Sequence, residues 1–159
     1  MGTRTLCLLL LAAAGMSADE KYDGPLPPKP DIPYLLQATK LAEPEVTEAR
    51  EEKGKKETTY VIAGAASPAR TPLAEPIFII DAREIAPERI ELYQLEVKEG
   101  NRQVSFANKA HKGSAQPLHL MVTRLKEHLY RIEASQMLET GEYALSPSGV
   151  NRVFCFAVY

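Results

Sequence analysis

The sequence predicts an all-β fold, a sandwich of about seven to eight short strands behind an extended N-terminal segment. Three observations predict it. Apolar and polar residues alternate with period two in several short runs, as in half-buried strands. Turn signals built on Gly, Pro, Asn and Ser separate those runs at the spacing of sandwiches and barrels rather than of βαβ units. Between the runs no segment carries a convincing helical period. The chain has 159 residues, 45% hydrophobic and 25% charged. That fits one domain with a tail and excludes wholesale disorder.

Residues 1–18 are expected to be a secretory signal peptide. Arg4 supplies the cationic start, Leu6 to Ala14 are an unbroken apolar run, and small residues follow up to Ala18. This is the three-part pattern of an export signal, with cleavage after Ala18 or, as second choice, Ala14. The run is too short for an anchor, since crossing ~30 Å of hydrocarbon takes about 20 apolar residues. Cys7 lies too early for lipid attachment. No later stretch approaches spanning length, so no transmembrane span is expected after cleavage, and the expected location is periplasmic or extracellular. The mature chain keeps one cysteine, Cys155, in the apolar run Val153-Phe154-Cys155-Phe156. A buried structural thiol is the reading.

The next stretch, 19–57, reads as a separate Pro-rich and charged extended segment. Five of the 12 prolines fall between Pro25 and Pro33, and proline fixes φ and lacks an N–H. Residues 48–57 are a dense charge run without an apolar face, read as solvated. Between them, 34–46 carries apolar residues that fit either a helix or a strand. The segment holds ten acidic and seven basic side chains, while 58–159 hold eleven of each. The near-neutral balance excludes a dedicated nucleic-acid binder, because nothing neutralises a row of phosphates.

The sandwich is expected over 58–159. Thr58 to Ala63 is β-branched and aromatic, closed by Gly64. Residues 64–76 form a loop stiffened by Pro68, Pro72 and Pro76. Ile77 to Asp81 is an apolar run suited to a buried central strand. Residues 85–90 read as a turn. The alternating runs 92–97 and 103–106, joined through Gly100-Asn101, read as a β-hairpin, because Gly and Asn tolerate the positive φ of a tight turn. Strands are expected at 118–123, 129–133, 141–145 and 153–159, with turns around Lys126 and Ser146-Pro147-Ser148-Gly149.

One motif carries mechanical content. Leu138-Glu139-Thr140-Gly141-Glu142-Tyr143 resembles the Leu-x-x-Gly-x-Tyr corner of small exported bacterial immunoglobulin-like and transthyretin-like domains. The resemblance implies an immunoglobulin-like Greek-key β-sandwich. In it Leu138 plugs the core, Gly141 turns the chain and the Tyr143 hydroxyl bonds upstream backbone. The disulfide and core Trp of antibody domains are missing. Such a fold does not fix a function.

No set of nucleophile, base and oxyanion donors emerges. Ser67, Ser105, Ser114 and Ser148 stand alone, without a nucleophile elbow. Asp81 is expected to pair with Arg83. His119 and His128 flank one predicted hairpin and could approach each other across it, but no third ligand stands at a metal-site spacing. No metal or cofactor is expected. Two loops are candidate ligand or partner contacts: Arg70 and Thr71 in 64–76, and His111 with Lys112 in the basic stretch 108–113. The expected function is an exported non-catalytic binding or structural module, with a protein or surface ligand as partner. It would act through loops, a sheet face or an edge strand. The alternatives are a small periplasmic hydrolase or metal-dependent enzyme, and an accessory subunit of an envelope assembly.

Overall fold

The computed structural model describes residues 22–109 and 114–159. The predicted export signal at 1–18, with its cleavage site, and the loop residues His111 and Lys112 lie outside them. Among the described residues the chain is all-β, with one short 3-10 turn at Pro87–Arg89. Thirteen strands follow in chain order. The first six are β1 (Tyr34–Gln37), β2 (Lys40–Ala42), β3 (Glu45–Glu48), β4 (Arg50–Lys53), β5 (Glu57–Ile62) and β6 (Arg70–Thr71). Then come β7 (Ile77–Asp81), β8 (Ile90–Lys98), β9 (Asn101–Ala107), β10 (Leu120–Arg124), β11 (Leu129–Ala134), β12 (Gly141–Pro147) and β13 (Arg152–Val158).

They form two antiparallel sheets. The smaller runs β10-β11-β7-β1-β2. The larger runs β3-β13-β12-β8-β9-β5-β4, with the two-residue β6 lying parallel beside β13. β3 and β4 stand at opposite ends of that order, yet only Ala49 separates them in the chain. The stretch 45–53 therefore pairs with β13 through its first half, Val46 opposite Phe154, and with β5 through its second, Glu51 opposite Tyr60. At the junction the Ala49 N–H donates to the Asn151 carbonyl at 2.9 Å. The larger sheet thus closes on itself into a barrel of six strands, counting the joined β3–β4 as one, and closure shortens the edges an open sheet of this size would carry.

Side-chain alternation then divides the apolar residues into two cores. Leu92, Leu145, Phe154 and Phe156 point out of the barrel wall and pack against Leu35, Phe78, Ile80 and Ile132 of the smaller sheet. Phe78 meets Phe156 edge-to-face, ring centroids 5.0 Å apart. The alternate residues Leu95, Ala144, Val153 and Cys155 point inward with Ala49 and Ile62 and form the barrel's interior. A strand covered on both faces reads as a continuous apolar run. That is why every residue from Val153 to Val158 is buried.

Three features depart from the sequence expectation. The sheets begin at Tyr34, not Thr58: the stretch expected as an extended leader contributes β1 to β4. Residues 34–46 hold β1, β2 and the start of β3, with a turn at Ala38-Thr39, and no helix. The charge run does expose its side chains, as expected, but its backbone is a barrel strand. The predicted hairpin is present as β8–β9, with its positive φ at Glu99 (52°) and Gly100 (77°) rather than at Gly100-Asn101. Two positive φ values in a row make the turn whose twist matches the flanking strands.

Candidate functional site

One end of the barrel is closed by Arg102, a fully buried side chain pointing inward from β9. Its Nη1 and Nη2 donate to the two carboxylate oxygens of Glu45 at 2.5 and 2.9 Å. Nε donates to the Gly64 carbonyl and Nη2 to the Ala63 carbonyl, both at 2.8 Å. Glu142 stands 3.8 Å away and accepts the Ser67 N–H at 2.9 Å. A buried guanidinium is tolerable only when its donors are met like this. Burial works to raise the Glu45 carboxyl, but the hydrogen bonds from Arg102 and Ser67 outweigh it and hold the group below its ordinary range. Beside Arg102, burial pushes the Cys155 thiol up to about 12. Cys155 therefore stays a protonated, inert thiol at neutral pH.

The register places successive layers toward the other end. Ile62 lies opposite Arg102, Tyr60 opposite Val104, and Thr58 opposite Phe106. There a pocket of about 630 Å³ opens, within the range of small-molecule sites. Its floor is Ile62, Leu95, Val104, Ala144 and Val153; its walls are Tyr60, Tyr93 and Phe106. Phe106 meets both tyrosines edge-to-face, at 5.8 and 5.2 Å. Glu51, Glu91, Thr58, Asn108 and the turn 148–151 form the rim. Each tyrosine hydroxyl donates to a rim carboxylate, Tyr93 to Glu91 at 2.7 Å and Tyr60 to Glu51 at 3.1 Å. Burial first, and the carboxylate second, raise both phenols above their ordinary range. Thr58 donates to Asn108 at 3.0 Å, and Asn108 donates to the Gly54 carbonyl. Among the described residues no Lys, Arg or His lines this pocket.

The residues singled out from the sequence sit elsewhere. Arg70 and Thr71 form β6. Thr71 is fully buried, and its hydroxyl accepts the Leu73 N–H, so it is not available to a ligand. Arg70 is exposed, with its guanidinium 4.6 Å above the Tyr159 ring. His119 and His128 lie just beyond opposite ends of the β10–β11 ladder rather than near each other. His119 stands beside Ser135 at one end, and His128 precedes Leu129 at the other. At strand rise, the seven residues between those two levels span roughly 20 Å. Among the described residues no group of three or more His, Cys, Asp or Glu is placed to hold a metal. Each of the four serines makes a structural hydrogen bond: Ser67 to the Cys155 carbonyl, Ser105 with Thr59, Ser114 from the Ala107 N–H, and Ser148 from Arg89. Asp81 pairs with Arg83 at 2.9 Å. At the corner Leu138 is buried, and Tyr143 donates to the Glu139 carbonyl at 2.8 Å while stacking on Phe156.

The pocket residues were not singled out by the sequence reading, although a signal for them exists. β8 carries Leu92 on one face and Tyr93, Leu95 and Val97 on the other, so both of its faces ask for cover. No protein family matches the chain, and no curated protein or solved structure is significantly similar to it. Among the described residues no helix is long and apolar enough to cross a membrane.

Proposed function

We propose that the protein is an exported, non-catalytic binding module whose ligand site is the open mouth of the barrel. The observation that carries the reading is the aromatic-walled pocket of about 630 Å³ over an apolar floor. The far end is closed by an internally satisfied Arg102. Concave, mostly apolar sites with a few convergent polar groups are where small ligands bind. Export rests on the pattern of residues 1–18, and the immunoglobulin-like resemblance rests on the Leu138–Tyr143 corner. The test is uptake of N-phenyl-1-naphthylamine, a neutral dye that fluoresces in apolar surroundings. Saturable uptake of one dye per chain is expected. Val104→Phe, which fills the floor, should abolish it while circular dichroism shows the fold intact. Absence of saturable uptake, or full uptake by the filled variant, overturns the reading.

A second reading is favoured by β10, which among the described residues stands at an edge of the smaller sheet with Met121 half exposed. An edge of this kind recruits a partner segment by β-augmentation. Met121→Lys would then abolish partner capture and leave dye uptake unchanged.

A further inference from the structure

We infer that the barrel mouth selects an organic cation: an amphiphile whose ammonium head sits among Tyr60, Tyr93 and Phe106 and whose apolar body fills the floor. The inference rests on the barrel-mouth reading and specifies its ligand. Charge is the first ground. Among the described residues two carboxylates, Glu51 and Glu91, line the pocket and no basic side chain does. Within ion-pairing distance, the described cation nearest the rim is Lys53, three-quarters exposed, 3.4 Å from Glu51. Glu91 has no ion-pair partner among the described residues. Aromatic chemistry is the second ground. A cation is attracted to the faces of Tyr and Phe rings within about 6 Å. A phenol that donates its hydrogen to a carboxylate, as Tyr93 does to Glu91 and Tyr60 to Glu51, has a more electron-rich ring and attracts a cation better. The apolar floor is the third. A bare metal ion has no use for it and wants more oxygen donors than two separated carboxylates supply. An alkyl chain fills it with gain. An anion of equal size meets two like charges.

The test compares three ligands of one chain length against the full chain by titration calorimetry: octyltrimethylammonium, octanol and octanoate. The cation is expected to bind about tenfold tighter than octanol, the combined effect of partly exposed ion pairing and cation–π attraction. Octanoate should bind weakest. The double variant Glu51→Gln with Glu91→Gln, both changes at the solvated rim, should bring the cation down to the octanol level measured on the same variant. If octanol binds wild type as tightly as the cation, if octanoate binds best, or if the double variant keeps the preference, the cation inference fails while the barrel-mouth reading stands. If none of the three binds, both fail.

Discussion

Arg102 is the side chain on which the barrel's closed end depends, and its partners come from three separate parts of the chain. Glu45 lies on β3, the carbonyls of Ala63 and Gly64 follow β5, and Glu142 lies on β12. Removing the guanidinium leaves Glu45 and Glu142 uncompensated and two carbonyls short of a donor. Breaking a buried pair from one side costs about 3–5 kcal/mol, whereas replacing both partners with apolar groups is often close to neutral. Arg102→Met is therefore expected to lower stability by about 3–5 kcal/mol in urea unfolding. Arg102→Met combined with Glu45→Leu should recover more than half of that loss. A double variant as unstable as the single one would show that the Arg102–Glu45 pair is not the source of the cost. Asp31 has a similar role on the smaller sheet's side. It is buried, its φ is 57°, and its Oδ1 accepts the N–H groups of Arg83, Glu84 and Ile85 at 2.8–3.0 Å. One carboxylate thus supplies the acceptor for three consecutive amides of a loop that has no sheet partner.

At the scale of elements, the β8–β9 hairpin and the joined β3–β4 strand show what could and could not be read from the chain. The hairpin was legible because its alternation and its Gly100 are local. Its one local conflict is Glu99, a residue without a preference for the positive φ it adopts. Glu99→Asn relieves that conflict and is expected to stabilise the fold by about 0.5 kcal/mol, read as a higher thermal midpoint. The closing strand was not legible. Arg50 to Lys53 have low β propensity and are all exposed, so composition reads them as solvated. Their backbone is held by β5 and by the Ala49 junction, which are tertiary facts. The stretch around Arg70 and Thr71 was hidden for the opposite reason: a proline-stiffened run reads as a free loop, yet its middle adds a parallel strand to β13. The Leu138–Tyr143 corner is the intermediate case, since it is local in sequence and its hydrogen bond closes over four residues. The junction itself can be tested. Ala49→Pro deletes the N–H that reaches Asn151 and is expected to cost about 1–3 kcal/mol, the cost of a lost ladder bond whose acceptor is left unmet. It should also raise hydrogen exchange in β4 and β5 while β7 and β11 stay protected.

For the molecule as a whole, burial of titratable groups in the barrel and beside the smaller sheet sets a window of pH stability. On the acid side, burial works to raise the Asp31 carboxyl but three backbone amides outweigh it; Arg102 does the same for Glu45. Both folded values lie below the ordinary 3.8 and 4.5. A depressed carboxyl contributes stability that is present above its unfolded pKa and is lost as pH falls through the folded one. Stability should therefore hold down to about pH 4.5 and fall below it. On the alkaline side, burial raises Cys155 from 9.0 to about 12. A raised thiol contributes stability that is present below pH 9 and is lost as pH rises through its folded value, because the unfolded chain ionises first. The loss is at most about 1.4 kcal/mol per pH unit for this one group. Urea midpoints measured from pH 3 to pH 10.5 should trace a plateau between these limbs. Asp31→Asn should make the acid limb shallower, leaving the share that Glu45 contributes, and leave the alkaline one. Cys155→Ala should make the alkaline limb shallower between pH 9 and 10, where the thiol adds to the loss from the tyrosines that burial also raises. An alkaline limb unchanged in Cys155→Ala would mean that the thiol reaches water as the pH rises. The barrel interior would then open before the molecule unfolds.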